Sequence, residues 1–111
     1  MNIDSTDFGS IIIDGKKYGD VLIVNNEILE RDWDSGSHRI SPGEAKKLLA
    51  GNPDVIIIGT GQAGVLKTDN NIIEKISRNA ELIILKTREA VKKFNELAAN
   101  KKVNALIHTT C

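Results

Sequence analysis

The stretch Asp54-Val-Ile-Ile-Ile-Gly-Thr-Gly-Gln-Ala-Gly64 constrains this chain more than any other. Val55 to Ile58 are four consecutive apolar, β-favouring residues without polar alternation, the pattern of a strand buried on both faces. They run into Gly59, Gly61 and Gly64, a literal G-x-G-x-x-G. Glycine accepts positive φ and lets another backbone or a ligand approach closely. A site in so small a domain is expected at the end of this strand, with Gly59, Thr60, Gly61, Gln62 and Gly64 as its ligand-binding candidates.

The loop does not read as a dinucleotide fingerprint. In that fold the helix opens within the glycines, so that its N-terminus faces the pyrophosphate. Here Val65-Leu-Lys-Thr-Asp intervenes before a helical pattern begins, and Lys86-Thr87 stands where an acidic ribose ligand is expected. No Gly-Lys-Ser/Thr ends the run, so it is not a P-loop either. Two readings remain. The glycines allow a tight turn against a neighbouring strand, or their N–H groups form an anion-accepting nest. In the second reading Thr60 and Gln62 add polar contacts, and Lys67 or Lys86 adds charge.

The rest of the chain surrounds this strand. Ser10–Ile13, Lys17–Val24 and Glu27–Trp33 read as an antiparallel meander joined by tight turns at Asp14-Gly15 and Asn25-Asn26. Ser41-Pro-Gly-Glu44 has the spacing of a capping box with proline in the first helical turn. Thr68 or Asp69 caps a second helix bearing Ile72, Ile73 and Ile76. Glu81–Lys86 reads as a strand, with Leu82–Leu85 as its continuous buried run. Thr87 caps a third helix with Ala90, Phe94, Leu97 and Ala98 inward, and Val103–His108 is the last strand. From Ser41 onward the order is α-β-α-β-α-β, which predicts a mainly parallel sheet covered by helices.

One domain spanning residues 1–111 fits the length and the 41% hydrophobic content. Formal charge is balanced, with 15 basic and 15 acidic residues, so bulk electrostatics favour neither nucleic acid nor a membrane as partner. The segment from Lys86 to Lys102 is mostly basic and reads as a solvated helix face. No apolar run approaches the roughly 20 residues of a membrane span. The N-terminus lacks a signal-peptide pattern, and the single cysteine, Cys111, suits a reducing compartment. A cytoplasmic location is the expectation.

Other chemistry is thin. His108 and Cys111 form one His-x-x-Cys pair, in which the histidine would activate the thiol or both would hold a soft metal. No second pair accompanies them, so no metal or cofactor is expected, and His108 and Cys111 are only weak catalytic candidates. His38 lies in a polar loop. Glu30, Asp32 and Asp34 read as solvated edge charge, and Trp33 as a core cap or a stacking surface. No nucleophile elbow, zinc-binding H-E-x-x-H or paired catalytic carboxylates occur.

Taken in order, several elements resemble a known family: Ile13-Asp-Gly15 with Tyr18, the strand reaching Trp33, His38 to Pro42, Asp54–Gly61 with Gly64, Thr87-x-x-Ala90-x-x-x-Phe94-Asn95-x-Leu97, and Ala105-Leu-Ile-His108 with Thr110-Cys111. The set is similar to the Mth-type domain of unknown function, in its archaeal form. The resemblance implies a three-layer α/β fold around a mixed, mainly parallel five-stranded sheet with an attached N-terminal β-meander. It implies no established enzymatic activity. The eukaryotic relatives, an adipogenesis-associated Mth-domain protein and mitochondrial complex I assembly factor three, act through other proteins. Phe94 departs from the tyrosine common there, and Asn100-Lys-Lys102 from a Glu-Gly-Arg segment.

The expected function is therefore a non-catalytic binding or assembly module. Its crevice would be bordered by the Gly59–Gly64 loop with Trp33, Thr87 and Asn95, and its partner would be another protein. The alternative is a small enzyme or sensor for a phosphate- or carboxylate-bearing metabolite. Unpaired meander edges also make a homodimer a candidate.

Overall fold

The computed structural model describes residues 1–31 and 38–111. Trp33, Asp32 and Asp34, named above, lie outside the described residues. Among the described residues, eight strands and three helices follow in the order β1 (Ile3–Asp7), β2 (Ser10–Ile13), β3 (Lys16–Tyr18), β4 (Val21–Val24), β5 (Glu27–Glu30), α1 (Pro42–Leu48), β6 (Val55–Thr60), α2 (Asn70–Ser77), β7 (Glu81–Leu85), α3 (Thr87–Ala98) and β8 (Val103–His108).

The main sheet has the order β5-β4-β8-β6-β7. β6 runs parallel to both β7 and β8, whereas β4 is antiparallel to β8 and to β5. The expected buried strand is its centre: every residue of β6 is buried. Alternate side chains feed two cores. Val55 and Ile57, with Val21, Ile23, Ala105 and Ile107, pack toward α3 and the small sheet β1-β2-β3, where Phe94, Ile3, Ile11 and Ile13 meet them. Ile56 and Ile58, with Leu22 and Leu106, pack toward α1 and α2 through Ala45, Leu48 and Ile76. The domain is thus a mixed α/β fold, layered on both faces of a five-stranded sheet with a small antiparallel sheet attached.

The N-terminal third differs from the expected meander. An additional strand, β1, precedes it, and the expected strand Lys17–Val24 breaks at Gly19-Asp20. β3 stays in the small sheet while β4 and β5 join the main one. The two turns are as read: Asp14 and Gly15 have φ 48° and 82°, and Asn25 and Asn26 have 52° and 62°, the left-handed pair of a two-residue hairpin. β7 is an edge strand rather than a buried one, and Ile84 is exposed.

The capping box of α1 is complete. The Glu44 amide donates to Ser41 Oγ at 3.0 Å, and the Ser41 amide donates to Glu44 Oε1 at 3.0 Å. Asp69 caps α2. Thr87 does not cap α3; Lys86 is the N-cap residue and makes no side-chain cap bond.

One buried amide joins three elements at the other end of the sheet. Asn104 Nδ2 donates to the Leu48 and Ala50 carbonyls at 2.7 and 3.1 Å, and its Oδ1 accepts from the Asn25 amide at 3.2 Å. Asn104→Leu keeps the branching of the side chain but removes these bonds and leaves the buried Leu48 carbonyl without this partner. We expect it to lower unfolding free energy by about 2–4 kcal/mol, since each orphaned buried group costs about 1–3 kcal/mol. Urea denaturation at neutral pH measures this, and an unchanged midpoint would show that the three groups are satisfied otherwise.

Candidate functional site

The glycine loop lies where expected, at the C-terminal end of β6, but its glycines serve close packing within the chain. A Cβ on Gly59 would stand 3.1 Å from Thr87 Oγ1 and 3.3 Å from both Ala90 Cβ and Ile107 Cδ1, so this position brings α3 against the sheet. Gly61 has φ +102°, and a Cβ there would overlap the Cys111 backbone carbonyl and lie 2.8 Å from His108 Cδ2. Thr87, fully buried, locks the loop's start. The Gly61 amide donates to Thr87 Oγ1 at 2.9 Å, Thr87 Oγ1 donates to the His108 carbonyl at 2.5 Å, and the Thr87 amide donates to the Gly61 carbonyl at 3.1 Å.

The remaining N–H groups of the loop are also engaged. Gln62 donates to the Thr110 carbonyl at 2.7 Å, and Ala63 and Val65 donate to the Cys111 oxygen at 3.2 and 2.9 Å. Gly64 donates to Gly61 and Leu66 to Thr60. The loop has the form of a nest, and the chain's own residues 110–111 lie in it. Thr60 Oγ1 donates to the Leu85 carbonyl, and Gln62 Nε2 faces Thr6 Oγ1 and the carbonyls of Asp7 and Thr109. Gln62 Oε1 is buried without a hydrogen-bond partner.

Thr87 thus joins Gly59, Thr60, Gly61, Gln62 and Gly64 in one cluster. Asn95 does not. Its side chain closes a two-bond clamp on the backbone of Ile3, at 2.9 and 2.8 Å, and so fastens β1 to α3.

Beneath the tail lies a buried ionic network that the strand patterns did not reveal. Asp20 Oδ2 faces His108 Nδ1 at 2.7 Å and accepts from Arg31 Nη1 at 3.2 Å. Its Oδ1 accepts from the Thr109 amide and hydroxyl, both at 2.7 Å. Arg31 also reaches Glu44 through Nε at 2.8 Å and Nη2 at 3.1 Å, and donates to the Arg39 carbonyl at 2.6 Å. Arg31, Asp20 and Glu44 side chains are at most 2% exposed and His108 is fully enclosed. The available signal was Arg31 itself, a charge on the same strand face as Leu29. Asp20 follows the break between two strands, where no periodicity marks it.

Charge assignments follow from these contacts. Burial pushes the Asp20 carboxyl up, but hydrogen bonds from Thr109 and His108 outweigh it and hold the group below its ordinary value. Burial acts likewise on Glu44, where Arg31 and the Ser41 amide prevail and hold it low. Burial lowers Arg31, and Glu44 and Asp20 more than reverse this. With Asp20 as acceptor, Nδ1 of His108 carries the hydrogen, leaving Nε2 to face Thr110 Oγ1 at 3.2 Å. The exposed His38 ring meets His108 edge-on, with centroids 5.3 Å apart. Cys111 is exposed. Among the described residues no group of three or more His, Cys, Asp or Glu is placed to hold a metal ion.

An open crevice of about 450 Å³ adjoins this region. α1 runs into β6 and α2 leaves it, so both helices begin at the C-terminal end of the sheet, the usual location for ligands in α/β folds. Arg39 and Lys67, joined by a single parallel bridge, supply basic groups to its lining. Ile40, Pro42 and Ile72 supply apolar surface, and Asp69 lies there as the cap of α2. Among the described residues no helix is long and apolar enough to cross a membrane.

The sequence matches one family model over residues 3–108, that of proteins of unknown function DUF498/DUF598. The chain belongs to this family. It is similar to a conserved hypothetical protein, PH1505, from Pyrococcus horikoshii OT3, with 34% identity, complete coverage of both chains and a TM-score of 0.86. A structure described as MT938 is 28% identical over 99% of this chain and 98% of its own, with a TM-score of 0.82. A Bartonella henselae protein described as an outer membrane protein shares the fold, with a TM-score of 0.81 at 20% identity over 98% of this chain and 94% of its own. The five-stranded mixed sheet with its attached small antiparallel sheet matches the fold of the Pyrococcus horikoshii protein.

The depressed Asp20 and Glu44 values set an acid limit on stability. The unfolded chain binds their protons near pH 4, before the folded one does, so their contribution is complete above about pH 5 and is lost as pH falls through the folded values. Asp20→Asn should destabilise the protein at pH 7, and the gap to the parent should narrow by pH 3. Urea titrations at both pH values test this; a gap of constant size would show that Asp20 is not held as the carboxylate.

Proposed function

We propose that this domain is a non-catalytic binding module, and that the crevice between the starts of α1 and α2 takes an acidic, partly apolar segment of a protein partner. The observation that carries this reading is the crevice's composition: Arg39 and Lys67 beside Ile40, Pro42 and Ile72. Apolar surface supplies affinity and the two cations select an acidic partner and speed its encounter. Asp69 is already engaged in capping α2 through the Asn71 amide, at 2.7 Å. A binding rather than catalytic role is supported by His108, which is fully buried with both ring nitrogens facing partners. The resemblance to the Mth-type domain, whose eukaryotic relatives act in assembly through other proteins, supports the same reading.

A second reading, a sensor for a small anionic metabolite, is favoured by the same two cations. Thermal shift with phosphorylated and carboxylated compounds separates the two, since stabilisation by a metabolite alone would replace the protein partner.

A photo-crosslinking residue introduced at Thr68 should capture one stoichiometric partner in a lysate of the source cell. The double reversal Arg39→Glu with Lys67→Glu should reduce that capture at least tenfold while leaving the melting temperature within a few degrees, because both residues are exposed. Equal capture by the reversed protein would exclude the crevice as the contact site.

A further inference from the structure

We propose that residues 62–65 form a tail-gated carboxylate site, held closed by the backbone of Thr110 and Cys111. The N–H groups of Gln62, Ala63 and Val65 converge on oxygens of this two-residue segment, at 2.7, 3.2 and 2.9 Å. Two of them share the single Cys111 oxygen, the arrangement by which a backbone nest takes an anionic oxygen. The alkyl stem of Lys86 runs beside it: its Cγ and Cε would stand 3.3 and 3.4 Å from a Cβ at Gly64. Once vacated, the site offers three converging main-chain donors, a set suited to a carboxylate.

The hinge of the gate falls between Thr109 and Thr110. Thr109 is buried, with its amide and hydroxyl on Asp20 and its carbonyl on the Gly9 amide and Gln62 Nε2. Thr110 is half-buried, and Cys111 is exposed. Residues 110–111 are therefore seated chiefly by hydrogen bonds, and an outside carboxylate would replace those bonds one for one. The gate is open to competition because such bonds are exchanged against water at small net gain. Gly61 is what admits the tail, since a side chain there would occupy the place of the Cys111 carbonyl.

Amide hydrogen exchange on the intact protein should show the Ala63 and Val65 amides protected. Removing Thr110 and Cys111 should raise their exchange at least tenfold, and acetate should then shift the Gln62, Ala63 and Val65 amide resonances saturably. The intact protein should show no such shift. A parallel arm with a dipeptide ending in a free carboxylate distinguishes a peptide terminus from a small acid: tighter binding of the dipeptide than of acetate assigns the site to chain ends, and the reverse to a free metabolite. Should the shortened chain fail to fold, removal of Cys111 alone frees the Ala63 and Val65 donors and is read the same way. Unprotected amides in the intact protein, or no acetate response in either folded variant, would overturn the proposal. The crevice at Arg39 and Lys67 plays no part in this readout, so its outcome is separable from that of partner capture.

Discussion

The carboxylate of Asp20 is the point on which the rest of the site depends. Its two oxygens receive Arg31, His108 and both donors of Thr109. It stands in the link where the chain leaves the small sheet and enters the main one, between β3 and β4. A single charge thus ties the changeover between sheets to the end of β8 and, through Arg31 and Glu44, to the first turn of α1. Burying these ions carries a large desolvation cost, and the network is tolerable only because each group has several partners; removing one partner leaves an uncompensated charge, at a cost of about 3–5 kcal/mol. Such an arrangement contributes a unique geometry more than stability. Here the geometry it fixes is the course of residues 108–109 into the glycine loop.

That course explains the loop. A G-x-G-x-x-G after a buried strand invites a nucleotide, yet each of its first two glycines has a neighbour within the chain: α3 at Gly59 and the Cys111 carbonyl at Gly61. The structure shows the turn: the loop packs against α3, and its donors are taken by other residues of the chain. The loop is both a tight turn against α3 and a ring of donors, and the tail occupies the ring.

The fold was legible where local chemistry and burial agreed. Val55–Ile58, the Ser41 capping box, the Asp14-Gly15 and Asn25-Asn26 turns and the α/β alternation of the second half each carry a signal within a few residues. The misreadings arose where tertiary partners decide. Lys17–Val24 is one apolar-ended run, but Gly19-Asp20 carries it between two sheets, where Arg31 and the distant His108 and Thr109 hold Asp20. Leu82–Leu85 has the apolar run of a central strand and lies at an edge, because β8 inserts between β4 and β6 and displaces the order. Of the site, the loop's position and Thr87's proximity were readable. The Asp20–Arg31–Glu44 cluster is spread over residues 20–44 with no periodic spacing and was not.

Two anchors divide the surface around the glycine loop into independent parts. Gly61 is bound to Thr87 through both its amide and its carbonyl, and Leu66 is bound to Thr60 while its side chain is buried in the core beneath α1 and α2. Between them only residues 62–65 have donors that depend on the tail or on the turn itself. Beyond Leu66, Lys67 is held to the His38 carbonyl and faces the crevice. Displacing the tail therefore frees the donors of Gln62, Ala63 and Val65 without releasing Lys67 or Arg39, so a carboxylate at the nest and a protein segment in the crevice would not compete for the same groups.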